Sequence, residues 1–271
     1  MIDPGRCRLL RHAPAEGAWN MAVDEMLLDR AGEQAAACLR LYGWNEPTLS
    51  LGYFQNYADR TQHAASGQCA AVRRLTGGGA ILHDNELTYS IVLPGRHPLA
   101  ARRDELYQAL HGCLIEALGH FGLAARLCGG HGKGDSPHLC EAPSGPFRQM
   151  GTVPFSMPGP FLCFLRRSPG DVLLGQDKIC GSAQRRRNQA VLQHGSLLWK
   201  RSPAAPELPG VADLACRSLA LDDLAAIWLD GLARRLGWQW QADELDENEV
   251  RQARNLAESR YVGEVWTKKL L

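Results

Sequence analysis

Two stretches of this 271-residue chain combine residue types that catalysis uses. In the first, Gly77-Gly78-Gly79 lies between two apolar runs, directly after Arg73-Arg74. Three glycines leave backbone N–H groups unshielded by any Cβ, so such a loop can cradle a phosphate, a carboxylate or the oxyanion of an acyl transfer. The neighbouring guanidinium groups add positive charge. A flexible hairpin tip has the same composition, so the loop by itself leaves both readings open. In the second stretch, Lys178 opens a strand of small residues, Gly181-Ser182-Ala183, which let a substrate lie close to the backbone. A lysine there can hold the polar head of an acyl donor or stabilise developing negative charge; it can also be an ordinary strand-edge lysine. His131, His138 and Cys140 could ligate a metal, but their spacing matches no standard zinc pattern and lacks a fourth ligand, so no metal is expected.

The elements that must position these residues follow from hydrophobic period. Residues 7–12 read as a strand, and 16–31 as a helix because Trp19, Ala22, Val23, Met26, Leu27 and Arg30 recur at helical spacing, with Asp24 and Glu25 off the stripe. Strands are expected at 37–43 and 48–52, at 70–75 and 80–83 around the glycines, and at 87–93, where Leu87, Tyr89, Ile91 and Leu93 alternate. Residues 102–121 carry Leu106, Leu110, Leu114, Leu118 and Phe121 on one helical side. The segment 129–160 is rich in Gly, Pro, His and Ser and reads as a long loop or lid. Strands resume near 161–165, 171–175, 178–183 and 189–199, and helices near 220–236 and 246–260 follow a Pro-rich linker at 202–209. Hairpins with intervening helices suggest an α+β fold on a mixed, mostly antiparallel sheet flanked by helices. The chain divides into a catalytic domain over 1–200 and a small helical C-terminal extension over 210–271.

Composition narrows the function classes. With 45% hydrophobic and 22% charged residues, the chain can bury a core. A formal net charge of +1 gives no global pull towards nucleic acid or an anionic membrane, so neither is an expected partner. Any basic partner site must be local. Arg73-Arg74 and Arg185-Arg186-Arg187 are the two candidates, the latter equally readable as a solvated turn. The start lacks a secretory pattern, and no run approaches the ~18 apolar residues of a membrane span. Nine cysteines without a Cys-x-x-Cys pair argue for reduced thiols in the cytoplasm rather than a disulfide framework, and the lack of a long exposed apolar helix makes a monomer the default.

Arg73-Arg74-Leu75-Thr76-Gly77-Gly78-Gly79-Ala80-Ile81-Leu82-His83-Asp84, running into Glu86-Leu87-Thr88-Tyr89-Ser90, resembles the signature of the biotin/lipoate protein ligase and octanoyltransferase family. Asn20-Met21-Ala22-Val23-Asp24-Glu25 resembles that family's first helix, and Lys178-Ile179-Cys180-Gly181-Ser182-Ala183-Gln184-Arg185 its central lysine motif. Val191 to Leu198 resembles the strand after the lysine, and Tyr261-x-x-x-Glu264-Val265-Trp266 the tail of the lipoate branch. The likeness covers most of the chain outside 129–160 and 200–217.

The resemblance implies a biotin/lipoate ligase-like fold, closest to the cysteine-dependent octanoyl-[acyl carrier protein]:protein octanoyltransferases and to lipoate-protein ligase A-like proteins. Cys163 lies fifteen positions before Lys178, as the nucleophile does in cysteine transferases of this family. A free thiol with a pKa of about 8.5 needs a nearby cation to ionise at neutral pH, and Lys178 can supply it. Cys163 and Lys178 are therefore the implied catalytic pair. Arg73, Arg74, Gly77, Gly78, Gly79, His83, Gly181, Ser182 and Ala183 are the implied substrate-binding residues, with His83 also placed to assist proton transfer. Cys180, inside the lysine motif, is a rival nucleophile or a packing residue. The implied donor is octanoyl-acyl carrier protein. The implied acceptor is a lipoyl carrier such as glycine cleavage H protein or a 2-oxo acid dehydrogenase E2 subunit, and no cofactor is needed. Two features point elsewhere: the triple-glycine form ending in Gly79 resembles the ligases, and 129–160 is longer than the family pattern. An ATP- and Mg-dependent lipoate ligase forming an acyl-adenylate is the first alternative, and a non-catalytic carrier-binding protein the second.

Overall fold

A computed structural model of the chain describes residues 5–32, 37–129, 160–215 and 217–269. Strand β1 (Arg6–Arg11) leads through α1 (Gly17–Arg30) to β2 (Ala37–Tyr42) and β3 (Thr48–Leu51). Next, β4 (Ala70–Arg73) and β5 (Ile81–His83) flank the three glycines, and β6 (Glu86–Leu93) precedes α2 (Arg103–His120). Then come β7 (Ala125–Leu127), β8 (Val172–Leu174), β9 (Asp177–Arg187) and β10 (Ala190–Leu198). The chain ends with α3 (Val211–Leu214), α4 (Leu221–Leu236), β11 (Gln239–Asp243), α5 (Glu247–Leu256) and α6 (Glu264–Thr267).

Eight strands form one mixed sheet in the order β11-β1-β2-β6-β10-β9-β8-β7, parallel where β1 meets β11 and β2 and antiparallel elsewhere. A separate three-stranded sheet has β3 between β4 and β5. This is the α+β, mostly antiparallel architecture that the sequence pattern implies.

The central strands are covered on both faces, so alternate residues enter different cores. Leu39, Leu41, Ile91, Leu93, Val191 and Leu197 pack beneath α2 and α4, against Leu110, Leu114 and Trp228. Cys38, Val92 and Leu192 point the other way, towards Val23 and Leu27 of α1 and Ala253 of α5. Helix α1 is thus enclosed, which is why Asp24 and Glu25, off its apolar stripe, are nonetheless buried. Asp24 meets Arg40 at 2.9 Å, and Glu25 accepts from the Tyr261 hydroxyl and pairs with Arg187. The hairpin between β9 and β10 turns on Asn188 and Gln189, both at positive φ, which suits the twist of a two-residue hairpin.

The structure differs from the sequence reading in three places. Residues 161–165, expected as a strand, hold only a bridge from Leu162 to Ala80, and Cys163–Leu165 forms a 3-10 turn. Phe161, Leu162 and Phe164 all enter one cluster with Leu49, Leu51 and Leu82, a burial that does not require alternation. The two short edge strands β7 and β11 have no sequence signature of their own; β11 is a largely exposed polar run that pairs with β1. Residues from 210 onwards therefore add a strand to the main sheet as well as packing helices upon it, with α4 covering α2 and α5 covering α1.

Candidate active site

A cleft open to solvent lies between the two sheets. Its walls come from Gly77 and Gly78, from Cys163 and Phe164, from Asp171, and from Lys178, Gly181, Ser182 and Ala183 of β9. His194, Gly195 and Ser196 of β10 form the floor, with Met21, Tyr42 and Thr88 further in. The glycine loop and the cysteine are joined directly: Ala80 N–H donates to Phe161 O at 3.2 Å, and Cys163 N–H donates to Ala80 O at 2.7 Å. A Cβ on Gly79 would sit 3.2 Å from Cys163 Cα, so the third glycine is where the cysteine backbone lies against the loop.

Lys178 is 6% exposed and its Nζ reaches three groups. It lies 2.9 Å from Asp171 Oδ2, 3.6 Å from Cys163 Sγ and 3.4 Å from Cys163 O. Gly181 makes this possible, since a Cβ there would lie 2.6 Å from Lys178 Cε and 2.9 Å from Nζ. Burial alone would lower the Lys178 pKa, but the Cys163 sulfur and the Asp171 carboxylate more than offset it, and the ammonium is held above the ordinary lysine value. Burial acts on Asp171 in the opposite chemical sense and pushes its carboxyl up. The pair is read as ionised, because Oδ2 also accepts from Ser168 N–H at 2.7 Å and both charges are met. The ammonium is therefore placed to stabilise negative charge on the sulfur or on an oxygen beside it. Phe164 closes the other side, its ring centroid 5.2 Å from Nζ.

The two arginines before the glycines diverge. Arg74, fully buried with its pKa brought down to about 10 by burial, donates to Gly77 O at 2.8 Å and Gly79 O at 2.7 Å, fixing the loop from within. Among the described residues the amides of Gly77 and Gly78, which line the cleft, have no acceptor, which leaves them available to a ligand. Arg74 also donates to Ser50 Oγ and Thr76 Oγ1, each at 3.2 Å. Those hydroxyls in turn meet the Nε2 atoms of His83 (2.7 Å) and His194 (2.6 Å). The carboxylates of Glu86 and Asp24 on the far side of the two rings can only accept, so both rings carry hydrogen on Nδ1 and each Nε2 accepts from its hydroxyl. His83 Nδ1–H then donates to Glu86 at 2.7 Å and His194 Nδ1–H to Asp24 at 3.3 Å. His83 thus lines the cleft as a braced, stacked ring, 3.9 Å from Trp44 between centroids. Arg73 does not line the cleft. Its guanidinium is spent on backbone carbonyls of Gly52, Gln55, Trp266 and Thr267, tying the turn after β3 to the C-terminal tail.

Of the residues singled out from sequence, Cys163, Lys178, Arg74, Gly77, Gly78, His83, Gly181, Ser182 and Ala183 meet in one cleft, with Gly79 packed behind the cysteine. Cys180 faces away, buried beneath α2 and 3.9 Å from His111 Nε2, with burial pushing its thiol well up. Arg185 lies over the Tyr53 ring, Arg186 is exposed, and Arg187 pairs with Glu25 and Asp29. His131, His138 and Cys140 lie outside the described residues; among the described ones no cluster of three His, Cys, Asp or Glu could hold a metal ion. Asp171 and His194 are the site residues that sequence reasoning missed. Asp171 could have been found from the hairpin around Gly175-Gln176, which folds the start of β8 back beside Lys178.

Residues 16–205 match the family described as the lipoyl protein ligase A/B catalytic domain. Octanoyltransferase LipM of Kyrpidia tusciae is 30% identical over 284 residues, covering 96% of this chain and 97% of the relative. Octanoyltransferase LipM of Bacillus subtilis is 28% identical, covering 97% and 98%. Among solved structures, lipoate-protein ligase A bound with ATP superposes with a TM-score of 0.71 at 21% identity, covering 98% of this chain and all of that one. A bi-partite lipoate protein ligase of Thermoplasma acidophilum gives 0.67 at 21% identity, covering 98% and 97%. These structures share the fold. No helix among the described residues is long and apolar enough to cross a membrane.

Proposed function

Because the chain belongs to the lipoyl protein ligase A/B catalytic-domain family, we propose that it transfers an octanoyl group from acyl carrier protein to a lysine of a lipoyl domain through a thioester on Cys163. One observation carries the covalent step: a thiol lies inside the cleft, against the glycine loop, with a buried ammonium 3.6 Å from its sulfur. Octanoyltransferase relatives that match along nearly their whole length support the choice of reaction.

The Cys163 thiolate attacks the carbonyl of the carrier thioester, a new C–S bond forms, and the carrier's sulfur leaves. Charge on the oxygen is met by Lys178 and the free amides of the glycine loop, donors already in place before the reaction begins. Exchange of one thioester for another is nearly isoenergetic, so this route needs no nucleotide. The neutral amine of the acceptor lysine then attacks the acyl-enzyme, the C–N bond forms as the C–S bond breaks, Cys163 departs as a thiolate beside Lys178, and the proton lost from nitrogen passes to solvent. Burying the acyl methylenes at ~0.8 kcal/mol each gives several kcal/mol of binding. The acceptor is a lipoyl carrier such as glycine cleavage H protein or a 2-oxo acid dehydrogenase E2 subunit.

Intact-mass measurement after incubation with octanoyl-acyl carrier protein, without ATP, tests this. An octanoyl adduct is expected on the wild-type protein, passing to an added lipoyl domain and absent from Cys163→Ala. Absence of the adduct together with ATP-dependent labelling by free octanoate or lipoate would overturn the reading in favour of a ligase.

A further inference from the structure

Beside the glycine loop lie two cations that have no carboxylate partner among the described residues. Phe54 is 59% exposed and packs 3.9 Å from the position of a Cβ on Gly77, at the edge of the glycine loop. Its neighbour Tyr53 meets it edge-on and is clasped by two cations: Arg185, 5.1 Å from the ring centroid, and Lys269, 4.2 Å from it. Lys269 also donates to the Tyr53 hydroxyl at 3.1 Å. Neither has a carboxylate partner among the described residues, and Arg185 Nε is buried with no hydrogen-bond acceptor. The neighbouring cations differ: Arg187 and Arg260 are bound to Glu25, and Lys268 to Glu264. On β9, Gly181, Ala183 and Arg185 fall on one face by strand alternation, and the first two line the cleft.

We propose that Arg185 and Lys269, both lying against Tyr53, form a binding site for the phosphoryl group of a carrier-borne pantetheine arm whose thioester reacts at Cys163; this rests on the reading of Cys163 as acyl acceptor. A planar guanidinium and a nearby ammonium suit a phosphate oxygen. The reach fits. Lys178 Nζ folds back over Gly181, and Arg185 is four residues further along the strand, about 13 Å at the rise of an extended chain. The arm spans roughly 15 Å between sulfur and phosphorus when its dozen or so bonds are extended. Charge also separates the two substrates, because the acceptor's arm is a lysine whose ammonium these cations repel, whereas the donor's arm is anionic.

The test compares acylation of Cys163 by octanoyl-phosphopantetheine and octanoyl-pantetheine, in the wild type and in Arg185→Gln/Lys269→Gln. The wild type should react with the phosphorylated thioester with a kcat/KM about tenfold higher or more, as loss of a charge-assisted pair implies. In the double variant the two thioesters should become equal, with the phosphate-free rate at its wild-type value, which also shows that the variant folds. No preference in the wild type, a preference that survives substitution, or a fall in both rates would each overturn the site. Should neither thioester acylate the wild type, the Cys163 reading fails instead. Calorimetric titration with phosphopantetheine and with pantetheine then decides the site: phosphate-dependent binding lost in the double variant supports it, and equal binding of the two overturns it.

Discussion

At Gly181 the placement of the Lys178 ammonium depends on a missing methyl group. Lys178 folds back along its own strand into the space that a Cβ at 181 would occupy, and only from there does Nζ reach both Asp171 and Cys163. Gly181→Ala should therefore push the flexible end of the lysine away while leaving the strand paired as before. The atoms displaced are the tip of one side chain, so the unfolding midpoint should change little. The rate of octanoyl transfer to Cys163 should fall on the order of a hundredfold, the scale of an ångström's misplacement at a reacting centre. Single-turnover acylation beside thermal unfolding checks it. A variant as active as the wild type would mean that Lys178 acts from another position, or not at all.

Between elements, Arg73 links β4, the turn that carries Tyr53 and Phe54, and the tail that carries Trp266 and Lys269. It is fully buried, and among the described residues it is held by carbonyl oxygens alone, without a carboxylate partner. Arg73→Met keeps the length of the side chain and strands those carbonyls. It should cost about 3 kcal/mol or more of stability in urea titration and expose the tail to limited proteolysis; an unchanged midpoint would show that the tail docks without it. This arginine also marks where the sequence stopped being readable. Consecutive residues at the end of a strand face opposite ways, so Arg73 and Arg74 had to diverge, but nothing in their order says which one meets the glycines. The glycine loop and Lys178 were legible from motif order and small residues, and Cys163 from the resemblance that places a cysteine before the lysine, although its segment is a 3-10 turn rather than the strand its period suggests. Asp171 was not, because its partner is reached through a hairpin rather than along the chain. Strand β11 was invisible because a polar edge strand takes its conformation from β1 and not from its own side chains.

Across the whole molecule, buried polar networks tie the two sheets and the helices together, and they set how stability responds to acid. His111 of α2 donates from Nδ1 to Gly170 O at 2.6 Å, beside Asp171, and burial brings its pKa down to about 4. His12 is also lowered to about 4, by burial and then by Arg40, whose Nε donates to its Nδ1. Burial lowers His97 and His194 as well, in the latter against the pull of Asp24. In an unfolded chain such imidazoles titrate near ~6.5, so on acidification the unfolded state takes up protons that the folded state refuses. Stability is then complete above about pH 6.5 and drains away as pH falls towards about 4, where His111 and His12 finally protonate in place. His111 alone, wholly buried, should account for a loss on the order of 3 kcal/mol over that window. A second stage follows at lower pH. Burial would raise the carboxyls of Asp24 and Glu249, but His194 and Arg40 around the first, and Arg8 and Asp246 around the second, hold both below their ordinary values. Their contribution is present above those ordinary values and vanishes as pH drops through the lowered ones. Urea midpoints between pH 7.5 and pH 3 should accordingly decline in two steps, the first shallower in His111→Asn. A midpoint that stays level from about pH 6.5 to pH 4.5 would show that these imidazoles gain protons in the folded protein as readily as in water, and that the network beneath the cleft is wetter than its burial implies.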